Sequence, residues 1–175
     1  VLTRGDVRKG VIAACYLYAC NQRNIARTDT EIADIFEISI KTMTKGCNKF
    51  QEIMWEKGHS IYFDVVSPLL YVERFCNIAD MDEHHIENAK FIVYRVFKLG
   101  ILSSKTPLSI SGGVFLLICT LYEYDIPKTK IIKISHTSDV TITGCYKIMK
   151  SQIHRLLPKT EIAKINFPNK NKKKR

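Results

Sequence analysis

Residues 28–50 read TDTEIADIFEISIKTMTKGCNKF, and residues 129–149 read TKIIKISHTSDVTITGCYKIM. The two stretches match each other at an offset of about 99 residues. This spacing is too long for a solenoid repeat and suits a duplicated helical domain. We call the two stretches the first and second copy. Each copy predicts a short helix, a tight turn and a second helix, which is the plan of a DNA-reading helix-turn-helix. The offset aligns three apolar pairs: Ile32 with Ile131, Ile35 with Ile134, and Phe50 with Met149.

The residues around the first copy carry the signals that start helices. Thr28 is followed three residues later by Glu31, which is a capping-box pattern, and Ser39 is a good N-cap for the helix after it. Apolar residues upstream recur at helical spacing. These signals predict three helices, over residues 6–21, 29–36 and 40–56.

The second half of the chain predicts five helices. Pro68 and Pro107 each stand in a first turn, where a missing N–H costs nothing, and Gly100 suits the position after a helix end. Gly112-Gly113 inside a helix costs roughly 1 kcal/mol per glycine relative to alanine, so we expect close helix packing there. No strand set with turn signals is present, so we predict an all-α fold. The predicted helices cover residues 65–79, 83–99, 107–124, 129–135 and 139–154.

The helix count indicates two five-helix repeats, the first truncated to its last three helices. We place the first, partial repeat at residues 1–57, a linker at 58–64 and the second repeat at 65–158. The net charge is +10, and six of those charges lie in residues 159–175. We expect this segment to be a disordered basic tail. Phosphate contact and a nuclear-import signal are the alternatives for it.

The composition argues against several classes of protein. No apolar run reaches the ~20 residues that span a bilayer, so we expect no membrane contact. Six cysteines form no Cys-x-x-Cys pair, which argues against zinc and for a reducing, intracellular compartment. Adjacent histidines in Glu83-His84-His85 point about 100° apart on a helix, which disfavours a metal site. Hydrolase and phosphate-loop motifs are absent, so we predict a non-enzymatic protein.

The order of several short strings resembles the core domain of general transcription factor IIB, which archaea share as transcription factor B. The resemblance covers nearly all of residues 1–158. Any one string is weak, but their order and spacing together are specific. The strings are Ala14-Cys15-Tyr16-Leu17-Tyr18-Ala19-Cys20, Arg27-Thr28, Glu31-Ile32-Ala33, Ile38-Ser39, Arg74-Phe75-Cys76, Thr106-Pro107-Leu108-Ser109 and Asp139-Val140-Thr141-Ile142.

The resemblance implies two cyclin-like repeats that clamp a complex of TATA-binding protein with promoter DNA and help recruit RNA polymerase. It implies a monomer with no cofactor in this stretch of chain. Because the sequence begins at Val1 rather than Met, we expect a fragment whose zinc ribbon and linker precede it. We therefore expect the protein to be nuclear, or to lie in a viral factory or virion if a virus encodes it.

The resemblance also names candidate DNA-binding residues in the second copy. Positions matching Val140 and Thr143 read the promoter element upstream of the TATA box. Val140 agrees with the family and suits a thymine methyl group. A eukaryotic member typically has arginine where Thr143 stands, so we expect weak or altered preference for that element. Lys147 and Lys150 are expected to touch phosphate if they touch DNA.

In the first repeat, Arg4-Gly5 resembles a basic turn that the family inserts into the minor groove downstream of TATA. Asp6 replaces the second basic residue of that turn, which weakens the expected contact, and it suits a helix cap instead. Lys41 and Lys45 match positions near DNA phosphate and the TATA-binding protein. The alternative for these lysines is a solvated surface role.

Two other functions remain open from the sequence. A cyclin-like regulator of a protein kinase uses the same five-helix fold, and fold alone does not separate the two. The paired helix-turn-helix segments and the positive net charge favour a DNA-binding protein over a kinase regulator. The other alternative is a branch of the same family that serves RNA polymerase III or a virus-encoded polymerase.

Overall fold

The computed structural model describes residues 4–59 and 66–164, and all regular structure in these ranges is α-helical. The predicted all-α class is confirmed. The chain divides into two compact units, residues 1–70 and 71–175. The helices are α1 (Gly5–Gln22), α2 (Asp29–Ile35), α3 (Ile40–Glu56), α4 (Pro68–Ile78), α5 (Glu83–Lys98), α6 (Pro107–Leu121), α7 (Lys128–Ser135), α8 (Asp139–Ser151), α9 (Ile153–Leu156) and α10 (Lys159–Lys164).

The first unit is built from α1, α2 and α3 around a small apolar core. The predicted capping box is present, because the Thr28 hydroxyl accepts from the backbone N–H of Glu31 and the Glu31 carboxylate accepts from that of Thr28. Ser39 caps α3 through its hydroxyl alone, which accepts from the backbone N–H of Thr42 at 3.1 Å. The core consists of Ala13, Leu17, Ile32, Ala33 and Met43.

Two glycines let α1 and α3 cross at backbone distance. A Cβ added to Gly46 would lie 2.1 Å from the carbonyl oxygen of Gly10. A Cβ on Gly10 would lie 2.6 Å from the carbonyl oxygen of Thr42. Only glycine fits at both positions, so the crossing depends on these two residues.

The second unit is organised around α6, which is buried over almost its whole length. The helix packs against α5, α7 and α8. Gly113 faces α8 so closely that an added Cβ would lie 2.5 Å from the Cβ of Cys145. This contact is the close packing that the paired glycines predict.

The backbone repeats at the offset found in the sequence. Left-handed residues end the helices at matching positions, and matching serines cap α3 and α8. These local geometries are independent of the apolar pattern from which the duplication was predicted. The matched pairs are Asn24 with Glu123 (φ 55° and 56°), Glu37 with His136 (φ 52° and 48°), and Ser39 with Ser138.

The end of the second unit differs from the prediction. The helix expected over residues 139–154 breaks at Gln152 and continues as α9. The tail expected to be disordered from residue 159 begins instead with α10, whose first turn bonds to the carbonyl oxygen of Pro158. Residues 165–175 of that tail, and 60–64 of the expected linker, lie outside the described residues.

A buried acidic side chain explains why α10 is part of the fold. Glu161 is only 8% exposed. Its carboxylate accepts a hydrogen bond from Asn88 Nδ2 at 3.3 Å and lies 3.0 Å from His84 Nε2. Asn88 also donates to the hydroxyl of Tyr122 at 2.8 Å. The expected disorder of the tail is therefore wrong for residues 159–164, which are held to the fold by the buried polar contact of Glu161.

Candidate nucleic-acid interface

The segment from α7 to α8 is a compact helix-turn-helix. His136 ends α7 in the left-handed conformation, and two residues later Ser138 caps α8. The Ser138 hydroxyl accepts from the N–H of Thr141 at 3.4 Å. The same turn joins α2 to α3 in the first copy, through Glu37 and Ser39. Both predicted helix-turn-helix units are thus present.

The start of α8 presents a mostly uncharged face. Val140 is 85% exposed, although it is apolar. Thr143 is half-buried, and a Cβ on Gly144 would meet nothing within 4 Å. Lys147 is exposed one turn further on. Because these positions are three, four and seven residues apart, they share one side of the helix.

A carboxylate at the first residue of α8 joins the two helices of this motif. Asp139 forms an ion pair with Lys128 at the start of α7 and accepts a hydrogen bond from the Thr143 hydroxyl at 2.8 Å. The Lys128 ammonium and that hydroxyl hold the pKa of Asp139 below its ordinary value. Asp139 is therefore an anion at neutral pH, and the hydroxyl hydrogen of Thr143 is already engaged.

The two candidate lysines at the far end of α8 differ. Lys147 is exposed. Lys150 donates to the hydroxyl of Tyr146 at 2.7 Å, and its ammonium lies 5.2 Å from the centre of that ring. Of the two, Lys147 is the better placed for a phosphate, because Lys150 would have to leave Tyr146 first.

The four candidate residues of the first unit are all exposed. Lys41 and Lys45 are exposed, one turn apart on α3. Arg4 is exposed at the N-cap of α1, and Gly5 has a left-handed φ of 59°. Asp6 lies in the first turn of α1 rather than at its cap. Lys41 and Lys45 each precede in sequence a residue of α3, Thr42 or Gly46, that contacts Gly10 at the crossing with α1.

The structure also shows residues that the sequence reasoning missed. Asp139 was placed at the start of a helix and in one of the resembling strings but was given no role, and Lys128 was not singled out. The two residues lie eleven positions apart, on different helices, so no helical periodicity relates them. The one available signal was the pair of opposite charges at the first positions of two consecutive predicted helices.

The Glu83-His84-His85 segment makes internal contacts. His85 stacks on the ring of Tyr122, with centroids 3.7 Å apart, and its Nδ1 lies 2.7 Å from the hydroxyl of Tyr124. His84 pairs with Glu161. Within residues 4–59 and 66–164, no group of three or more His, Cys, Asp or Glu residues is arranged to hold a metal ion.

No helix of the described part of the chain is long and apolar enough to cross a membrane.

The fold and this site together define a class, that of all-helical tandem-repeat proteins with a helix-turn-helix in each repeat. Comparison with known families then identifies which one. The transcription factor TFIIB repeat matches residues 1–53 and 62–152. The chain belongs to this family, and its two units are cyclin-like repeats.

Named relatives come from a virus, a eukaryote and an archaeon. A transcription initiation factor IIB-like protein of Acanthamoeba polyphaga mimivirus is 34% identical over 151 residues, covering 84% of this chain and 33% of that protein. Transcription initiation factor IIB of Dictyostelium discoideum is 26% identical over 157 residues (89% and 47%). Transcription initiation factor IIB 2 of Thermoplasma volcanium is 28% identical over 146 residues (83% and 45%). The chain spans about a third to half the length of these relatives.

Proposed function

We propose that this chain is the core of a general transcription initiation factor. It binds a complex of TATA-binding protein with promoter DNA, without catalysis, and helps recruit RNA polymerase. The observation that carries the proposal is the family match across both repeats, since the relatives named above are initiation factors. Among the described residues of the site, no nucleophilic side chain lies beside a general base, so a binding role fits better than catalysis.

The charges of the described surface support DNA as one partner. Lys41, Lys45 and Lys147 are exposed on the second helices of the two motifs, where a helix-turn-helix meets the duplex. Phosphate contacts by such lysines would position the protein without reading sequence. The exposed start of α8 would then face base edges in the major groove.

Three parts of the proposal concern the whole protein. A zinc ribbon precedes Val1 and reaches the polymerase, and one copy of the chain enters each complex. The polymerase is nuclear, or is virus-encoded and works in a cytoplasmic factory or virion. The mimivirus relative gives the viral branch its own support. Co-purification of the tagged full-length protein, followed by identification of the polymerase subunits, separates these branches.

A gel-shift titration tests the central part of the proposal. The chain is added at low salt to a complex of TATA-binding protein with a TATA-containing duplex, and we expect a further shift. The double variant Lys41→Ala, Lys45→Ala should weaken this shift, because two phosphate contacts are removed. Lys98→Ala is the control, since it removes one exposed cation from α5, a helix that belongs to neither motif.

The outcome that contradicts the proposal is a mobility unchanged by the wild-type chain at all protein concentrations. A loss of binding free energy per removed charge that is equal in Lys98→Ala and in the double variant would instead show that only net charge matters. Recovery of a stoichiometric kinase with the full-length protein would favour the cyclin-like regulator.

A further inference from the structure

One exposed side of α5 carries two aromatic rings between two opposite charges. Its four residues follow each other at spacings of four, three and four, which places them on one face of the helix. Phe91 is 39% exposed and Tyr94 is 53% exposed, and the two charged residues are exposed as well. We call this side the outer face of α5, and it consists of Glu87, Phe91, Tyr94 and Lys98.

The charges at the two ends of the outer face are not balanced within the chain. Glu87 shares the single ammonium of Lys90 with Glu73, at 2.9 Å and 3.3 Å. Lys98 lies 5.7 Å from the centre of the Tyr94 ring, and no carboxylate of the described residues pairs with it. At a rise of 1.5 Å per residue, Glu87 and Lys98 are about 16 Å apart along the axis, so they cannot pair with each other.

The other polar residues of α5 strengthen this separation of charge. Arg95 donates from Nε and Nη2 to the carbonyl oxygen of Arg155, at 3.0 Å and 2.9 Å. His84 lies 3.0 Å from the carboxylate of Glu161. Glu83, in the first turn, is exposed and adds to the acidic end. The outer face therefore offers an acidic end, an aromatic centre and a basic end to whatever binds it.

The order of these residues is self-complementary when the helix is reversed. The midpoint between Phe91 and Tyr94 is also the midpoint between Glu87 and Lys98. A second, antiparallel α5 centred on this point would set Glu87 of each copy against Lys98 of the other. The same arrangement would set Phe91 of each copy against Tyr94 of the other, and such aromatic pairs attract. A parallel arrangement would instead bring like charges together.

We propose that the outer face of α5 is a homodimer contact, in which two antiparallel copies of α5 pair about a two-fold axis. The occupant is a second copy of this chain because the order of charges and the order of rings both match in that orientation, as an isologous contact requires. The inference goes beyond the proposed function, since α5 belongs to neither helix-turn-helix.

The size of the contact makes this dimer weak. Four side chains per copy bury less than the ~800 Å² per partner of a stable interface, so the dimer forms at high concentration and dissociates on dilution. One copy can therefore still enter each promoter complex. The pairing describes the free chain, and a promoter complex with one copy does not contradict it.

Sedimentation equilibrium over a range of chain concentrations tests the proposal. The buffer contains a reducing agent, because Cys15 is exposed and could form a disulfide between copies. We expect the average mass to rise with concentration from 20.1 kDa toward twice that value. An average mass that stays at 20.1 kDa at all concentrations would overturn the proposal.

Charge reversal tests the antiparallel order. Glu87→Lys and Lys98→Glu each bring like charges together at both symmetry-related contacts, so each should weaken association by about tenfold. The double variant restores opposite charges and the wild-type net charge, so it should associate like the wild type. An equimolar mixture of the two single variants should also associate, because each supplies the charge that the other lacks. Glu56→Lys, exposed on α3, is the control with the same change of net charge and should associate normally.

Truncation of a ring separates this contact from other exposed apolar surface. Tyr94→Ala should weaken association, whereas Tyr16→Ala, which removes a 51% exposed ring from α1, should not. Circular dichroism checks that each variant is folded. Association that survives both single charge reversals, or that is lost in Tyr16→Ala instead, would place the contact elsewhere and overturn the proposal. Failure of the double charge reversal to regain association would also overturn it, since the antiparallel order would then be wrong.

Discussion

The crossing of α1 with α3 at Gly10 and Gly46 allows the stability of Gly46→Ala to be predicted. An ideal Cβ at this position lies 2.1 Å from the carbonyl oxygen of Gly10, 2.2 Å from its carbonyl carbon and 2.7 Å from its Cα. All three atoms belong to the backbone, so no rotamer change relieves the clash. To reach ordinary contact distance, α1 and α3 must separate by roughly an ångström or more along their crossing.

Two opposing effects set the size of the change. Overpacking costs about 1–3 kcal/mol and occasionally more, and a clash of backbone with Cβ belongs at the upper end. Alanine in place of a helical glycine returns about 1 kcal/mol through helix propensity. We therefore expect Gly46→Ala to lower the free energy of unfolding by about 2 kcal/mol, an approximately 30-fold change in the folded-to-unfolded ratio.

The assay is urea unfolding followed by circular dichroism and by the fluorescence of Trp55, the single tryptophan, which lies on α3. Gly144→Ala is the matched control. It lies on α8 with no atom within 4 Å of an added Cβ, so it should stabilise the chain by up to about 1 kcal/mol. If Gly46→Ala is as stable as Gly144→Ala, the close crossing is wrong.

Three further predictions follow from the described contacts. Thr28→Ala removes the hydroxyl that accepts from the Glu31 N–H but keeps the backbone N–H that donates to Glu31, and it should lower the free energy of unfolding by about 1 kcal/mol in the same urea assay; an unchanged midpoint would refute the cap. Glu161→Gln weakens a charge-assisted contact of about 1.5–3 kcal/mol, so the amides of residues 159–164 should exchange faster with deuterium, and unchanged exchange would show that the anchor lies elsewhere. Burial lowers the pKa of His85, so folding favours its neutral form, and stability should be complete above a pH of about 6.5 and decrease below it. His85→Gln should flatten this decrease in thermal melts and the exposed His154→Gln should not; equal slopes in the two variants would contradict the assignment.

The sequence predicted the helices well because their determinants are local. Capping residues, apolar spacing and glycine at helix ends act within one or two turns, so Thr28, Ser39 and Gly100 could be interpreted without knowledge of the fold. The duplication was also visible, because both copies retain the same apolar positions. These features were enough to predict an all-α chain with two helix-turn-helix units.

The features that the sequence did not predict depend on distant partners. Glu161 is 77 positions from His84, and it looked like one acidic residue in a basic tail. The ion pair of Asp139 with Lys128 requires the turn between α7 and α8 to be known. Gly46 gave no sign that it would face Gly10, since both glycines lie inside predicted helices. Such contacts are tertiary, and residue spacing carries no information about them.

The candidate DNA-binding residues were predicted by resemblance more than by pattern. The structure places Val140 and Lys147 on one side of α8, and Lys41 with Lys45 on α3. Their contacts with DNA stay predictions. The structure adds that the Thr143 hydroxyl donates a hydrogen bond to Asp139. The hydrogen of this hydroxyl is therefore already engaged within α8.

Site-specific photocrosslinking can show whether the exposed start of α8 lies on promoter DNA. A benzophenone amino acid replaces Val140, and in a second protein it replaces Tyr94, which is 53% exposed on α5. Each protein is irradiated in complex with TATA-binding protein and a labelled TATA duplex. We expect the residue at position 140 to crosslink to DNA beside the TATA element and the residue at position 94 not to crosslink to it. Crosslinking of DNA from position 94 but not from position 140, in a complex that forms normally, would contradict the placement of α8 on the promoter.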